Sequence, residues 1–420
     1  MHVDGDCFFA SCEAALNPSL KGKPLVTGQE RGIVSSLSYE AKAMGIKRGM
    51  PIWEAKKICQ KIIVIHSDYE NYSLFSQRLF SIVRRYTQTV EEYGIDECFA
   101  DLTGMRRPLK MTYPQMAKKI KQDLESELGI TFSLGLGPTK VLSKIASKYK
   151  KPSGLTIISG HDIEYYLKQT LIEKVWGIGL NTSALLNHHG IKTAYDFIMT
   201  DEFWVKKNLS KPFFEIWQEL RGIFIYKVDA LEKQSRQSIS KTKTFSPPSS
   251  DKEYVFAQLS KNVENACIKV RRHGLEAKKA FFFLKNQQFR FKGLEVKFSK
   301  TAAPSLILNF IRPYFDDLWR DFEVYRATGI ILSDLTDQKS SQLNLFGDTA
   351  KNQSIVMVYK SLDNLSAKYG KHTVFLGSSL KALSYKNFDG KKSLTKRKSN
   401  LFFGKSEKKR LAIPMLGRVV

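Results

Sequence analysis

The sequence predicts an α+β chain of several domains. Its 420 residues exceed one average domain and suggest about three. Short strands and helices alternate up to about residue 157, and helices with glycine-punctuated turns dominate 161 to 230. From about 236 the order becomes strand, helix, strand, strand, helix, strand. Hydrophobic residues make up 42% of the chain, enough to fill separate cores.

Each element has a local reason. Met1 to Val3 reads as the end of a strand running into the acidic turn Asp4-Gly5-Asp6, and Phe8 to Leu16 as a helix stopped by Asn17-Pro18. Strands are expected at Pro24 to Thr27, Gly32 to Ser36 and Ile62 to Ile65, with helices at Ser38 to Met44 and Ile52 to Cys59. A longer helix, Tyr69 to Thr87, carries Tyr72, Phe75, Leu79, Ile82 and Val83 at helical spacing. Thr89 to Tyr93 and Cys98 to Leu102 read as strands flanking Gly94-Ile95-Asp96-Glu97. A helix near Tyr113 to Leu128, a strand at Thr131 to Leu136 and a basic helix at Thr139 to Tyr149 follow. Strands at Ala277 to Leu284 and Phe289 to Phe298 read as a pair. In the second the apolar phase slips at Gly293, which predicts a bulge there, with Arg290, Lys292 and Lys297 projecting into solvent. Beyond about 335 comes a polar linker, a helix with Val358, Leu362, Leu365 and Tyr369 along one face, and a basic end over 386 to 410.

Lys and Arg number 67 against 41 Asp and Glu, a net charge of +26. That surplus favours a polyanionic partner, because each phosphate neutralised releases counterions. No amphipathic basic helix suits a membrane surface, and no apolar run approaches the length of a span. The scattered Cys7, Cys12, Cys59, Cys98 and Cys267 form no CxxC, which argues against a disulfide framework or a structural zinc. Asp4, Asp6 and Glu13 are incompatible with a signal peptide, so a soluble, cytoplasmic protein is expected.

Asp4 ends one expected strand, while Asp96 and Glu97 sit at a turn between two others. Neighbouring residues on a regular strand point to opposite faces. Asp96 and Glu97 therefore reach one site only if the turn bends, which Gly94 permits. Three carboxylates without His or Cys suit Mg²⁺, a hard cation that prefers oxygen. Two such ions would activate an attacking hydroxyl and stabilise a leaving pyrophosphate.

The run His2-Val3-Asp4-Gly5-Asp6-Cys7-Phe8-Phe9-Ala10 closely resembles the opening motif of Y-family DNA polymerases, the DinB/UmuC group. Gly94-Ile95-Asp96-Glu97-Cys98-Phe99-Ala100-Asp101 is similar to that family's second catalytic motif, with Gly94 where Ser is usual. The resemblance implies that Asp4, Asp96 and Glu97 are catalytic and bind two Mg²⁺ ions, with the Gly5 carbonyl as a further ligand, and that Asp6 and Asp101 are supporting acids. It implies a right-hand polymerase: palm over 1–10 and 68–157, fingers over 11–67, and a helical thumb with a helix-hairpin-helix over 158–232. A βαββαβ little finger follows over 236–334, then a linker and basic segment over 335–420.

Tyr39-Glu40-Ala41-Lys42 resembles the fingers motif that grips the incoming triphosphate; Lys42 stands for Arg and loses its bidentate fork. Ser36 and Lys151 fall where phosphate contacts are expected, and Lys140 and Lys144 nearer DNA or structural contacts. Phe9 matches the position whose ring would collide with a ribose 2′-OH. Val175-Trp176-Gly177-Ile178-Gly179 reads as a helix-hairpin-helix turn, with Trp176 where Pro is more usual; Gly177 and Gly179 would let backbone amides approach a phosphate. Lys241, Lys243, Arg290 and Lys292 would track duplex phosphates. Gln342-Leu343-Asn344-Leu345-Phe346 resembles the bacterial sliding-clamp pentapeptide, with Gln342, Leu343, Leu345 and Phe346 as its anchors.

The function implied is template-directed, error-tolerant addition of deoxynucleotides to a primer across lesions, in an SOS-type damage response. Its partners would be primer-template DNA, dNTPs and the clamp. A UmuC-like protein would also need a UmuD-like accessory subunit and a recombinase filament. The opening motif looks DinB-like, whereas Val175-Trp176-Gly177 and Gln342 to Phe346 followed by a further C-terminal segment look UmuC-like. Two rival readings remain: a non-catalytic DNA-binding protein, against which Asp4, Asp96 and Glu97 argue, and a two-metal nuclease, against which Tyr39, Lys42 and Lys151 argue.

Overall fold

A computed structural model describes residues 1–230, 236–338, 349–369 and 372–384. The described residues divide into two compact units, one holding 1–230 and the other holding 236–384.

The first unit holds strands β1 (His2–Gly5), β2 (Leu25–Thr27), β3 (Ser36–Leu37), β4 (Ile63–Ile65), β5 (Val90–Glu92), β6 (Glu97–Ala100), β7 (Phe132–Leu136) and β8 (Leu155–Ile157). Five of them form a sheet in the order β5-β6-β1-β7-β8, and the short β3-β2-β4 form another. The expected strand at Gly32 to Ser36 starts later, at Ser36, because Gly28 and Gly32 both adopt left-handed backbone around the turn Gln29–Arg31.

In the larger sheet β1 is central and antiparallel to both β6 and β7. Val3 stands opposite Cys98 and Leu134, and these residues bury one face against the helices Tyr69–Arg84 and Tyr113–Leu128. The first helix is capped by Asp68, whose side chain accepts from the Asn71 amide. The second opens on a Thr112/Gln115 capping box and stops at Gly129 in the left-handed region.

The other face takes the helix Lys140–Tyr149, which lies very close to β7. A Cβ at Gly135 would fall 2.0 Å from Ser143 O and 2.3 Å from Ser147 N, so only glycine fits there. This helix also shares a core with the helical segment that follows: Val141, Leu142 and Ile145 pack with Leu167, Leu186, Phe197 and Trp217. Buried Glu219 seals that contact, accepting from the amides of Val141, Ile225 and Tyr226.

The second unit holds β9 (Ser238–Ser249), β10 (Leu275–Asn286), β11 (Phe291–Thr301) and β12 (Tyr325–Asp337) in one antiparallel sheet, order β11-β10-β12-β9. Helices Lys252–Arg272 and Pro304–Leu318 cover one face and complete the expected βαββαβ order. The helix Thr349–Tyr369 docks on these two helices. Asp363 accepts from Arg271 at 2.6 and 2.7 Å, and Tyr359 OH meets Ser305 Oγ at 2.9 Å.

The bulge expected at Gly293 is not there. Gly293 pairs in register with Phe283, and the irregularity lies between Ala277 and Lys279. The apolar phase slips because Phe291 lies on the open face of the sheet while Leu294 and Val296 share the helix-bearing face with Phe282 and Ala280. Gly293 is needed for space instead, since a Cβ there would lie 2.5 Å from the Phe281 ring.

Candidate active site

The β-ladder brings Asp4 directly opposite Glu97, so the two carboxylates share the face that carries the helix Lys140–Tyr149. Asp96 precedes β6 in a bend, tied to β1 by the Gly5 amide, which donates to Asp96 O at 2.8 Å. Gly94 helps through space rather than a left-handed backbone. Its φ is not positive, and a Cβ there would sit 3.1 Å from Glu97 Cγ and 3.4 Å from Asp96 Oδ1.

Glu97 is the most tightly held of the three. Lys144 Nζ donates to both its oxygens, at 3.1 and 2.9 Å, and His2 Nε2 lies 3.1 Å from Oε2. Burial alone would raise its pKa; the hydrogen bonds from His2 and then Lys144 outweigh that and hold it at about 2. His2 is fully buried, which lowers its pKa and keeps the ring neutral. Its Nδ1 meets Ser147 Oγ at 2.7 Å. A neutral ring donates from Nε2–H to Glu97 when the Ser147 hydroxyl, whose other acceptor is Lys144 O at 3.0 Å, turns to Nδ1.

Asp96 differs. Burial first, then the Asp4 and Glu97 carboxylates, push its pKa above the ordinary value, and among the described residues no ion pair engages it. Lys151 serves Asp4 instead, donating to Oδ1 at 2.5 Å, and stands 3.6 Å from Asp6 Oδ1. Asp6 is a buried anchor. It accepts from Ser133 Oγ at 2.8 Å and the Ser153 amide at 2.7 Å, fixing the loop that carries Lys151.

This donor set fits a divalent cation. His2, Asp4 and Glu97 place ligand-type atoms within 4.8 Å of one another. With both His2 nitrogens engaged by Ser147 and Glu97, the oxygens are the donors left over. Asp96 is not one of that trio, but it lies near enough for the Asp4 and Glu97 charges to raise its pKa, and a cation would relieve its uncompensated charge.

The residues expected to meet the triphosphate gather at one mouth. Tyr39 OH reaches Asp6 Oδ1 at 3.4 Å, Lys42 Nζ lies 5.7 Å from the Tyr39 ring centre, and Ser36 Oγ donates to Cys7 O at 3.4 Å. Phe9 stacks on Tyr72 at 4.4 Å with the planes 11° apart, while Tyr69 meets its edge at 5.6 Å. Lys140 pairs with Glu91 and Lys144 with Glu97, so both lysines are buried structural partners.

Gly177 has φ +89, and a Cβ there would strike Ile216 Cδ1 at 2.5 Å. Gly179 caps the helix Leu180–His188 with open space beside it. In the second unit, Lys241 and Lys243 stand opposite Ile330 and Thr328, and Lys292 opposite Leu284, on the helix-bearing side of the sheet. Arg290 lies in the exposed β10–β11 turn. The open face carries Lys279, Lys285 and Lys297 around Phe281, Phe283 and Phe291. Gln342, Leu343, Leu345 and Phe346 lie outside the described residues.

Sequence reasoning missed His2 and Ser147 as the carriers of Glu97, and an aromatic enclosure of Lys144 by Tyr93, Phe99 and Trp176. His2 stood within the quoted motif and was the available signal. The enclosure draws on three separate segments and left no local pattern.

Residues 3–148 match the impB/mucB/samB family, and residues 236–345 match that family's C-terminal domain. A DNA polymerase IV of Bacillus velezensis is 30% identical over 389 residues, spanning 90% of this chain and 92% of the relative. DNA polymerase IV 1 of Bacillus subtilis is 31% identical over 393 residues, with the same coverage of 90% and 92%. Among solved structures, a Y-family DNA polymerase chimera of Dbh and Dpo4 superposes with a TM-score of 0.69 at 25% identity, covering 80% of this chain and 98% of that one. A converging acidic site on a multidomain α+β fold is the arrangement of a nucleotidyl-transferring polymerase. The chain belongs to the impB/mucB/samB family, the DinB-like Y-family DNA polymerases. Among the described residues no helix is long and apolar enough to cross a membrane.

Proposed function

We propose that this chain extends a primer 3′ end with deoxynucleotides under template direction, across damaged as well as intact bases. The observation that carries the reading is the convergence of Asp4 and Glu97 on adjacent strands, beside Asp96 and within reach of Lys151. Asp4, Asp96 and Glu97, with the Gly5 carbonyl, would hold two Mg²⁺ ions, which supply activation of the primer hydroxyl and neutralisation of the leaving pyrophosphate.

The protein's own groups do the rest. Lys151 leaves Asp4 to meet the triphosphate, and Tyr39, Lys42 and Ser36 line the same mouth. Phe9, pinned between Tyr72 and Tyr69, is rigid enough to reject a 2′-OH by collision. Amides at Gly177 and Gly179 bind backbone phosphates without reading sequence, and Lys241, Lys243, Arg290 and Lys292 add a diffuse attraction to duplex DNA. The pentapeptide from Gln342 to Phe346 recruits the sliding clamp through its Leu and Phe side chains.

Primer extension with Mg²⁺ and dNTPs on intact and lesion-bearing templates tests the reading. Extension lost in Asp96→Ala supports it. Degradation of the primer, or DNA binding without extension, would sink it.

A further inference from the structure

We propose that Trp176 is a positioning residue for Glu97, acting through Lys144, and that it ties the helix-hairpin-helix turn to the acidic site; this rests on the polymerase reading above. The Lys144 ammonium sits 4.4 Å from the centre of the Tyr93 ring, 5.2 Å from Trp176 and 5.8 Å from Phe99. Its remaining direction faces Glu97, to which it donates at 2.9 and 3.1 Å. The cation is thus walled by π faces on one side and a carboxylate on the other.

Trp176 closes that wall from the 175–179 turn. Its indole N–H donates to Tyr93 OH at 3.1 Å, and the two rings meet edge to face at 5.4 Å and 89°. Tyr226 also packs against it, with ring centres 6.0 Å apart. Gly177, the next residue, is locked by its left-handed backbone and its contact distance to Ile216. The turn that would hold a DNA phosphate is therefore one residue from the ring that keeps water off the Lys144–Glu97 pair.

With the ring removed, water competes for the ammonium and Glu97 loses a fixed partner, keeping only His2. A carboxylate free to turn is a poorer chelator, because aim as well as charge sets affinity.

The test is a double-mutant cycle on the full chain, reading Mn²⁺ affinity by electron paramagnetic resonance without DNA. Trp176→Leu is expected to weaken Mn²⁺ binding about tenfold, and Trp176→Phe, which keeps a π face, to restore most of it. In a Lys144→Met background, Trp176→Leu should add less than about twofold, as residues acting through one another are not additive. With DNA, kcat should fall by a larger factor than primer-template Kd rises. Additive losses, unchanged Mn²⁺ affinity in Trp176→Leu with the far-UV spectrum intact, or a rise in Kd alone would each overturn the inference. Failure of the wild-type chain to extend a primer would instead count against the polymerase reading.

Discussion

His2 Nε2 lies 3.1 Å from Glu97 Oε2, joining a fully buried imidazole to a carboxylate at the edge of the site. The helix carrying Ser147 completes the arrangement by holding Nδ1 at 2.7 Å. Outer partners of this kind typically contribute about 10–100-fold to metal affinity or activity. His2→Phe, of similar bulk but without a donor, should lower single-turnover extension by that range and weaken Mn²⁺ binding in parallel. Loss of extension with unchanged Mn²⁺ affinity would locate the defect elsewhere.

Glu97 gives the fold a definite pH dependence. Its pKa in the folded protein is about 2, against an ordinary 4.5. A carboxylate held low stabilises the fold above its unfolded value, and that contribution is lost as pH falls through the folded value. In metal-free protein, the difference in urea-unfolding free energy between wild type and Glu97→Gln should be flat above about pH 5 and shrink between pH 4.5 and 2. A difference that does not change with pH would refute the pairing.

Two glycines should differ sharply in their tolerance of a side chain. Gly94→Ser asks Glu97 Cγ to yield from a 3.1 Å contact, which a side chain can do, so stability should move by less than about 1 kcal/mol. Gly135→Ala meets backbone at 2.0 and 2.3 Å and would lift the helix Lys140–Tyr149, at a cost of about 3 kcal/mol or more. Thermal denaturation of both variants makes the comparison.

Phe9 is held by Tyr72 and Tyr69 at 4.4 and 5.6 Å. Phe9→Val removes the flat ring but keeps an apolar residue. Discrimination against ribonucleotides, measured as the ratio of kcat/KM for dNTP and rNTP, should fall by at least about tenfold. A preserved ratio would show that the ring is only core.

Asp363 accepts two hydrogen bonds from Arg271 and anchors the helix Thr349–Tyr369. Bonds to charged groups are worth about 1.5–3 kcal/mol each when net favourable. Asp363→Asn should raise hydrogen exchange in that helix while leaving the β9–β12 sheet protected; uniform loss across the unit would mean that the helix supports the whole fold.

Much of this was legible in the sequence because the informative residues are close together along the chain. Helix Phe8–Leu16 and helix Tyr113–Leu128 have the expected bounds, each marked by a breaker or a cap. Asp4 and Asp96-Glu97 each sit inside a contiguous motif, and the β1–β6 register then brings them together. Failures came where tertiary contact decided. Gly293 reads as a bulge until the Phe281 ring above it is seen. The Trp176–Tyr93 contact joins residues 83 positions apart, and no periodicity reports it.

Lys151 has a consequence that reaches past its own contacts. Its single ammonium spans Asp4 at 2.5 Å and Asp6 at 3.6 Å, so it cannot serve these acids and a triphosphate at full strength together. Drawing Lys151 toward phosphate bares Asp4, and shielding Asp4 with a cation sets Lys151 free. By thermodynamic reciprocity the two ligands must then raise each other's affinity by one common factor. In the resting site Lys151 is held by an internal ion pair with Asp4, and on the proposed reading that pair gives way to two external ones when both ligands bind.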